Sequence, residues 1–222
     1  MDNRKTILFI DNSNIFQSQS KYFPKDRIHW GKVLEYFENI NTPIFETHFF
    51  GSHPDPPNAM QDGFFKYLAN TNKFHLHLRQ LVKRTHSCSK CKKKYYKCPH
   101  CEEPLTDKQE KGVDVDIAVE LIKQSDNLDT AILFSGDKDL IGPIDYIKGK
   151  GKRVEIYAFK ESITDEYNKK YIPVNLIDDI MPLISKPRFE SKKEDTTTSE
   201  QNNELMKESR INKIKKIFRL KK

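Results

Sequence analysis

Carboxylates follow two apolar segments of the sequence, and a third segment holds two more. Asp11 comes after LFI in LFIDNSNIF, while Asp137 and Asp139 come after LF in LFSGDKDLI. Asp114 and Asp116 alternate in KGVDVDIAVELI. Clustered carboxylates repel one another, and a divalent cation offsets that cost. Mg²⁺ or Mn²⁺ suits an oxygen-only shell and can activate water for attack on a phosphodiester, which is the chemistry these residues predict.

The elements that must position these acids alternate between strand and helix. Apolar runs rich in β-branched and aromatic residues predict strands, and helical spacing predicts the segments between them. The predicted strands are 7–10, 44–50, 74–82, 130–134 and 154–159, and the predicted helices are 30–40, 59–68, 115–128, 140–148 and 176–184. This order indicates an α/β fold with a mostly parallel central sheet covered by helices on both faces.

Ligands of such sheets bind at the carboxyl edge of the strands. Asp11, Asp137 and Asp139 are therefore expected at that edge, with the start of the helix that carries Asp114 facing the same crevice. A simpler interpretation takes each acid alone: Asp137 and Asp114 cap helices, and Asp11 lies in a turn. Capping accounts for one Asp per helix, but not for D-x-D twice or for acids after two strands.

The segments FIDNSN, KGVDVDIAVELI and SGDKDLIGPIDYIKGKGKRVEIYAF together resemble the NYN domain, a branch of the PIN-like metal-dependent ribonucleases. They occur in the family's order and span most of residues 6–160. The resemblance implies an acidic pocket that binds Mg²⁺ or Mn²⁺ and hydrolyses RNA. By motif position, its functional residues fall on Asp11, Asp114, Asp137 and Asp139, and Asn14 matches a polar residue that shapes the pocket.

Two further acids are candidate metal ligands. Glu120 stands where the family's helix often has Asp, and Asp116 is an additional acid. Asp116 lies about 200° around the helix from Asp114, so the two cannot both face one pocket. We favour Asp114.

All four cysteines lie in CSKCKKKYYKCPHC, within an expected insertion at 84–106. The spacing C-x2-C-x6-C-x2-C predicts a structural Zn²⁺ bound by Cys88, Cys91, Cys98 and Cys101. A redox CxxC is the main alternative. His75 and His77 share one face of a predicted strand, and we interpret them as ordinary strand histidines.

A basic strip surrounds the cysteines, because residues 63–101 hold ten Lys or Arg and no acid. Lysines can bind phosphate and tyrosines can stack on unpaired bases, which predicts RNA binding. The alternative is a solvated basic loop whose tyrosines cover the zinc site. The candidate RNA-binding residues are Arg79, Lys83, Arg84, Lys92, Lys93, Lys94, Tyr95 and Tyr96.

The net charge of +7 comes mostly from residues 186–222, with 12 Lys or Arg against 6 Asp or Glu. We expect a catalytic domain at 1–185, then a flexible polar linker and a basic tail that either binds a protein or nucleic acid or stays solvated. Neither a membrane-spanning run nor a signal peptide is recognisable, so a cytoplasmic protein is expected. A non-catalytic RNA-binding adaptor and a DNA nuclease remain alternatives.

Overall fold

The computed structural model describes residues 4–71, 73–83, 86–88, 90–95, 97–103, 108–109 and 112–187. The predicted tail beyond residue 187 lies outside these residues. The elements in chain order are β1 (Thr6–Asp11), α1 (Asn12–Tyr22), β2 (Asp26–Ile28), α2 (Trp30–Asn39), β3 (Ile44–His53), α3 (Ala59–Ala69), β4 (Phe74–Gln80), β5 (Val82–Lys83), β6 (His86–Ser87), β7 (Lys94–Tyr95), β8 (Lys108–Gln109), α4 (Val113–Gln124), β9 (Thr130–Phe134), α5 (Ile141–Gly149), β10 (Arg153–Ala158), α6 (Asp165–Lys169), β11 (Val174–Leu176), α7 (Ile177–Ile184) and β12 (Ser185–Pro187). Two 3-10 turns cover Lys138–Leu140 and Lys160–Ser162.

A six-stranded parallel sheet forms the centre of the fold, in the order β11-β10-β9-β1-β3-β4. The predicted α/β class with a parallel sheet is therefore confirmed. Strand β1 lies between β3 and β9 and is buried over its whole length. Such a central strand must be apolar on both faces, which explains the continuous run ILFI before Asp11.

Helices cover both faces of this sheet, as predicted. Because side chains alternate along a strand, Ile7 and Phe9 join one core with residues of α4 and α5. Leu8 and Ile10 join a second core with residues of α1, α2 and α7. Asp11 continues the alternation of Ile7 and Phe9, so it belongs to the face that α4 covers. No helix in the described part of the chain is long and apolar enough to cross a membrane.

Several elements differ from the sequence-based expectation. Helix α1 begins immediately after Asp11, and its polar sequence NSNIFQSQSKY buries only Ile15, Ser18 and Gln19, so it carries little apolar periodicity. Helix α4 begins two residues before its predicted start. Strand β12 pairs antiparallel with β2, so sheet pairing continues to Pro187, just past the predicted domain boundary.

Candidate active site

Asp11 ends β1 and is largely buried, with 9% of its surface exposed. Its Oδ1 accepts a hydrogen bond from the backbone N–H of Asn14 at 3.1 Å and so caps α1. Its Oδ2 accepts a hydrogen bond from the hydroxyl of Ser135 at 2.9 Å. Asp11 therefore both caps α1 and lies at the carboxyl end of β1, where it was expected. Hydrogen bonds to its two oxygens, one from Asn14 and one from Ser135, fix its orientation.

The segment after β9 is tied to α1 by backbone amides. The N–H of Gly136 donates to Oδ1 of Asn14 at 3.0 Å, and the N–H of Asp137 donates to the Ser135 hydroxyl at 3.1 Å. Asp137 then caps the following 3-10 turn, because its Oδ1 accepts from the N–H of Asp139 at 3.0 Å. Both strand-end acids thus cap a helical segment and remain in the same network.

Tyr167 of α6 supports this network from the other side. Its hydroxyl donates a hydrogen bond to the backbone carbonyl of Asp137, and its side chain is fully buried. Burial raises the pKa of the Tyr167 hydroxyl, and the nearby carboxylates of Asp137, Asp11 and Asp139 raise it further. Tyr167 therefore stays protonated and acts as a donor.

Three of the four predicted catalytic acids line one cavity of about 230 Å³. The acids come from three separate segments: Asp11 from the end of β1, Asp114 from the first turn of α4, and Asp137 from the loop after β9. Asn14 lines the same cavity. The remaining lining residues are Ser13, Gln17, Gly112 and Val113.

The start of α4 presents backbone to this cavity. Gly112 is the N-cap residue, has a φ of 77°, and makes no side-chain capping bond. A glycine adopts this left-handed conformation without strain. Gly112, Val113 and Asp114, at the start of α4, all line the cavity.

The other predicted acids do not line the cavity. Asp139 is exposed on the adjacent 3-10 turn. Asp116 forms two hydrogen bonds with the guanidinium of Arg79, one of them 2.6 Å from Nη2 to Oδ1, and this contact lowers the pKa of Asp116. Glu120 accepts a hydrogen bond from Nε2 of Gln124 at 2.8 Å and lies beside two histidines. As expected from the turn of the helix, Asp114 and Asp116 face different surroundings: Asp114 lines the cavity and Asp116 contacts Arg79.

The two cysteine segments share one backbone geometry. The carbonyl of Cys88 accepts from the N–H of Lys92 and its N–H donates to the carbonyl of Lys93, both at 2.9 Å. Cys98 makes the equivalent bonds four and five residues further on, at 3.0 and 2.8 Å. The residue after each second cysteine has a positive φ, 61° at Lys92 and 57° at Glu102. Each CxxC is therefore a tight turn of the same kind.

Backbone amides lower the pKa of the first thiol in each CxxC pair. The amides of Cys91 and Lys90 lower the pKa of Cys88, and those of Cys101 and His100 lower the pKa of Cys98. The thiolate is the form that binds metal. In the described residues, groups of three or more ligand atoms within 4.8 Å contain His and Glu only. The four-cysteine zinc site stays a prediction.

The predicted RNA-binding residues are distributed around this region. Lys92, Lys93, Lys94 and Tyr95 are exposed. The guanidinium of Arg79 is engaged by Asp116 and remains partly exposed. The side chain of Lys83, and the whole of Arg84 and Tyr96, lie outside the described residues. The RNA-binding role of the strip stays a prediction.

Sequence reasoning missed residues that orient the site. Ser135 stands inside the quoted LFSGDKDLI, and a small hydroxyl residue between a buried strand and Gly is a recognisable hydrogen-bonding position. Tyr167 carries no such signal, because it is distant in sequence and belongs to a five-residue helix. The neighbourhood of His48 and His77 was also missed, since it depends on the pairing of β3 with β4.

The parallel sheet and its acidic cavity define an α/β protein with a candidate metal centre at the carboxyl edge. The sequence matches the family model of the NYN domain over residues 5–184, so the chain belongs to the NYN domain family and the resemblance in its motifs is confirmed. Members of this family are generally metal-dependent nucleases.

Among solved structures, the chain is similar in fold to a protein of unknown function from Vibrio parahaemolyticus. The TM-score is 0.59 at 17% sequence identity, and the match covers 82% of this chain and 98% of that chain. No curated protein matches the sequence significantly.

Proposed function

We propose that the chain is a metal-dependent endoribonuclease whose acidic cavity binds Mg²⁺ or Mn²⁺. The observation that carries this proposal is that Asp11, Asp114 and Asp137, from three separate segments, line one cavity. Membership of the NYN family supports a nuclease. Carboxylates that line one cavity give it a negative potential that attracts a cation. Oxygens of these three acids do not all lie within 4.8 Å of one another, so water would complete the shell of the ion.

The donor set of the cavity fits a hard cation. Its lining offers carboxylate, amide and hydroxyl oxygens, and neither His nor Cys is among the described lining residues. Oxygen ligands of this kind favour Mg²⁺ or Mn²⁺ over Zn²⁺. Asp11, Asp114 and Asp137 would hold the ion, with Asp139 beside them. When bound, the ion supplies an activated water and stabilises the leaving oxygen of the phosphodiester.

The chain's own residues orient the substrate. Oδ1 of Asn14 accepts from Gly136, so the NH₂ group of Asn14 is the part left to donate to a phosphate oxygen. The first N–H groups of α4 supply further donors to the phosphate. Ser135 and Asn14 hold Asp11 and the loop after β9 in fixed relation, which is the preorganisation that catalysis requires.

A second cavity offers a path for the nucleotides next to the cleaved bond. It has a volume of about 480 Å³ and shares Ser13 and Gln17 with the acidic cavity. Phe16, Phe64 and Phe65 contribute to its lining, and Phe16 is 50% exposed. Aromatic faces of this kind stack on unpaired bases, which favours single-stranded or looped RNA.

The cysteine insertion completes the proposal. A structural Zn²⁺ would be held by Cys88, Cys91, Cys98 and Cys101. The exposed lysines between the two CxxC segments would bind the phosphates of the RNA. Zinc analysis of protein purified under reducing conditions tests the first part. A Cys88→Ser, Cys98→Ser double variant should lose one zinc per chain, whereas the same zinc content as the unmodified chain would contradict it.

The function is tested by cleavage of labelled single-stranded RNA, hairpin RNA and matched DNA with Mn²⁺, Mg²⁺ or EDTA. The unmodified chain should cut RNA only with metal, and Asp137→Asn should abolish cutting. Asp126→Asn is the matched control, because that exposed carboxylate pairs with Lys150 away from the cavity. Cleavage of DNA but not of RNA would show that the chain is a DNA nuclease. RNA binding that survives EDTA without any cutting would establish a non-catalytic adaptor.

A further inference from the structure

A second polar cluster lies on β3, β4 and α4, separate from the residues that line the acidic cavity. Nδ1 of His48 lies 3.0 Å from Nε2 of His77 and 3.7 Å from Oε1 of Glu120. One ligand atom from each of the three residues lies within 4.8 Å of the other two. The cluster arises because β3 and β4 pair in register, and side chains on the face covered by α4 meet its second turn.

The surroundings of His48 are apolar. Its side chain is 4% exposed, and its ring stacks on Phe9 at a centroid distance of 5.3 Å, while the ring of His77 stacks on Phe50 at 4.4 Å. Burial lowers the pKa of His48 to about 4 and also lowers the pKa of His77. Both rings are therefore neutral near pH 7, and a neutral imidazole is the form that binds metal.

We propose that His48, His77 and Glu120 form a second metal site, which takes a zinc-type divalent cation. Two imidazole nitrogens and one carboxylate oxygen are a donor set typical of Zn²⁺, and three protein ligands leave one position open for water. The acidic cavity offers only oxygen donors among its described lining residues, so the two sites would select different ions.

Neighbouring side chains would fix these ligands. A metal at Nδ1 of His48 leaves the ring proton on Nε2, a buried atom without a hydrogen-bond partner among the described residues. Oε2 of Glu46 lies 3.6 Å from this atom, so Glu46 would accept that proton and orient the ring. Gln124 donates to Oε1 of Glu120 at 2.8 Å and orients that ligand, while Lys123 lies 3.8 Å from its Oε2.

The same helix connects this cluster to the acidic cavity. Asp114 lies in the first turn of α4, Asp116 binds Arg79 of β4, and Glu120 lies one further turn along. A cation held by His48, His77 and Glu120 would therefore fasten the edge strand β4 to α4, in addition to the contact between Arg79 and Asp116. The proposed role is to hold the start of α4, and with it Asp114, in position.

The test is a Co²⁺ titration of the full chain after removal of metal, under reducing conditions and with excess Mg²⁺ to occupy the acidic cavity. His77→Gln and Glu120→Gln should each bind one equivalent of Co²⁺ less than the unmodified chain. The thiolate-to-cobalt charge-transfer absorption should stay unchanged, since it reports on the cysteines alone. Far-UV circular dichroism confirms that each variant folds, and Glu120→Gln preserves the side-chain volume.

His75→Gln is the matched control, because His75 lies on the same face of β4 and is 53% exposed. It should keep the full number of equivalents, as should Asp137→Asn. The proposal is overturned if His77→Gln and Glu120→Gln bind as much Co²⁺ as the unmodified chain. If His75→Gln alone binds one Co²⁺ less, the ion belongs to Glu46, His48 and His75, and the proposed ligand set is wrong. If Asp137→Asn binds one Co²⁺ less, the ion belongs to the acidic cavity.

Discussion

The hydroxyl of Ser135 donates a hydrogen bond to Oδ2 of Asp11 at 2.9 Å across two neighbouring strands of the sheet. The same hydroxyl oxygen accepts from the N–H of Asp137 at 3.1 Å. One buried side chain therefore sets the distance between the first and the third acidic segments. This relationship makes the geometry of the cavity sensitive to residues that are not themselves candidate ligands.

Ser135→Ala should weaken both stability and cleavage. The substitution removes the hydrogen bond to Oδ2 of Asp11 and the one from the N–H of Asp137, which costs about 1–3 kcal/mol of unfolding free energy. RNA cleavage should fall about tenfold or more, equivalent to about 1.4 kcal/mol of transition-state stabilisation. Urea unfolding and single-turnover cleavage measure the two effects.

Ser125→Ala is the control for this change. Ser125 is equally buried and its hydroxyl accepts from Nζ of Lys150 at 3.0 Å, remote from the cavity. This variant should lose some stability and keep its cleavage rate. Equal loss of cleavage in both variants would show that Ser135 acts through stability alone.

Tyr167→Phe should raise the Mg²⁺ or Mn²⁺ concentration needed for half-maximal cleavage. Removing the hydroxyl frees the carbonyl of Asp137, so the loop after β9 loses one of the bonds that fix its acids. We expect a several-fold shift on the order of 1 kcal/mol. Tyr157 of β10 is also buried and does not line the acidic cavity, so Tyr157→Phe should leave the metal requirement unchanged. A shift of the same size in Tyr157→Phe would contradict the assigned role.

Gly136→Ala should destabilise the fold. A Cβ at this position would collide with the backbone carbonyl of Ser162, which cannot move as a flexible side chain can. The expected loss is about 1–3 kcal/mol, as for other overpacked positions. Thermal and urea unfolding measure it.

Gly142→Ala is the paired experiment, since Gly142 lies in α5 with open space around it. It should stabilise the protein by about 0.4–1 kcal/mol, because alanine restricts the unfolded chain and favours helix. An unchanged free energy of unfolding in Gly136→Ala would show that the backbone around Ser162 shifts at little cost and would contradict the prediction.

The sheet and its acidic edge were predictable from the sequence because both depend on local signals. The run ILFI must be a central strand, and Asp11 directly after it must lie at the carboxyl edge. The sequence also separated Asp114 from Asp116, because a helix turns about 200° over two residues. The binding of a metal ion at this edge and the roles of these acids stay predictions.

What could not be predicted depends on pairing between distant segments. The contact between His48 and His77 requires β3 and β4 to align in one register, and neither histidine is unusual within its own strand. The orientation of Asp137 depends on Tyr167, which lies 30 residues away. Helix α1 was missed for another reason, since its sequence lacks an apolar stripe and its start is set by Asp11 as the cap.

A last prediction concerns pH and the N-terminus of α2. Nδ1 of His29 accepts from the N–H of Lys32 at 3.3 Å and caps the helix, which requires a neutral ring. Burial lowers the pKa of His29, and the charges of Lys186 and Lys32 lower it further, while Glu35 opposes them. The ring also packs against that of Tyr67.

Because the folded-state pKa lies below the ordinary value of 6.5, the unfolded chain takes up this proton first as the pH falls. The cap's contribution is therefore complete above pH 6.5 and is lost as the pH falls below it. Between pH 8 and pH 5 the free energy of unfolding of the unmodified chain should fall by about 1 kcal/mol or less more than that of His29→Asn. Asparagine also caps a helix but does not titrate in this range. Urea unfolding of both proteins between pH 8 and pH 5 measures the difference, in which the other histidines cancel. Parallel pH profiles for the two proteins would mean that His29 does not cap α2 in solution.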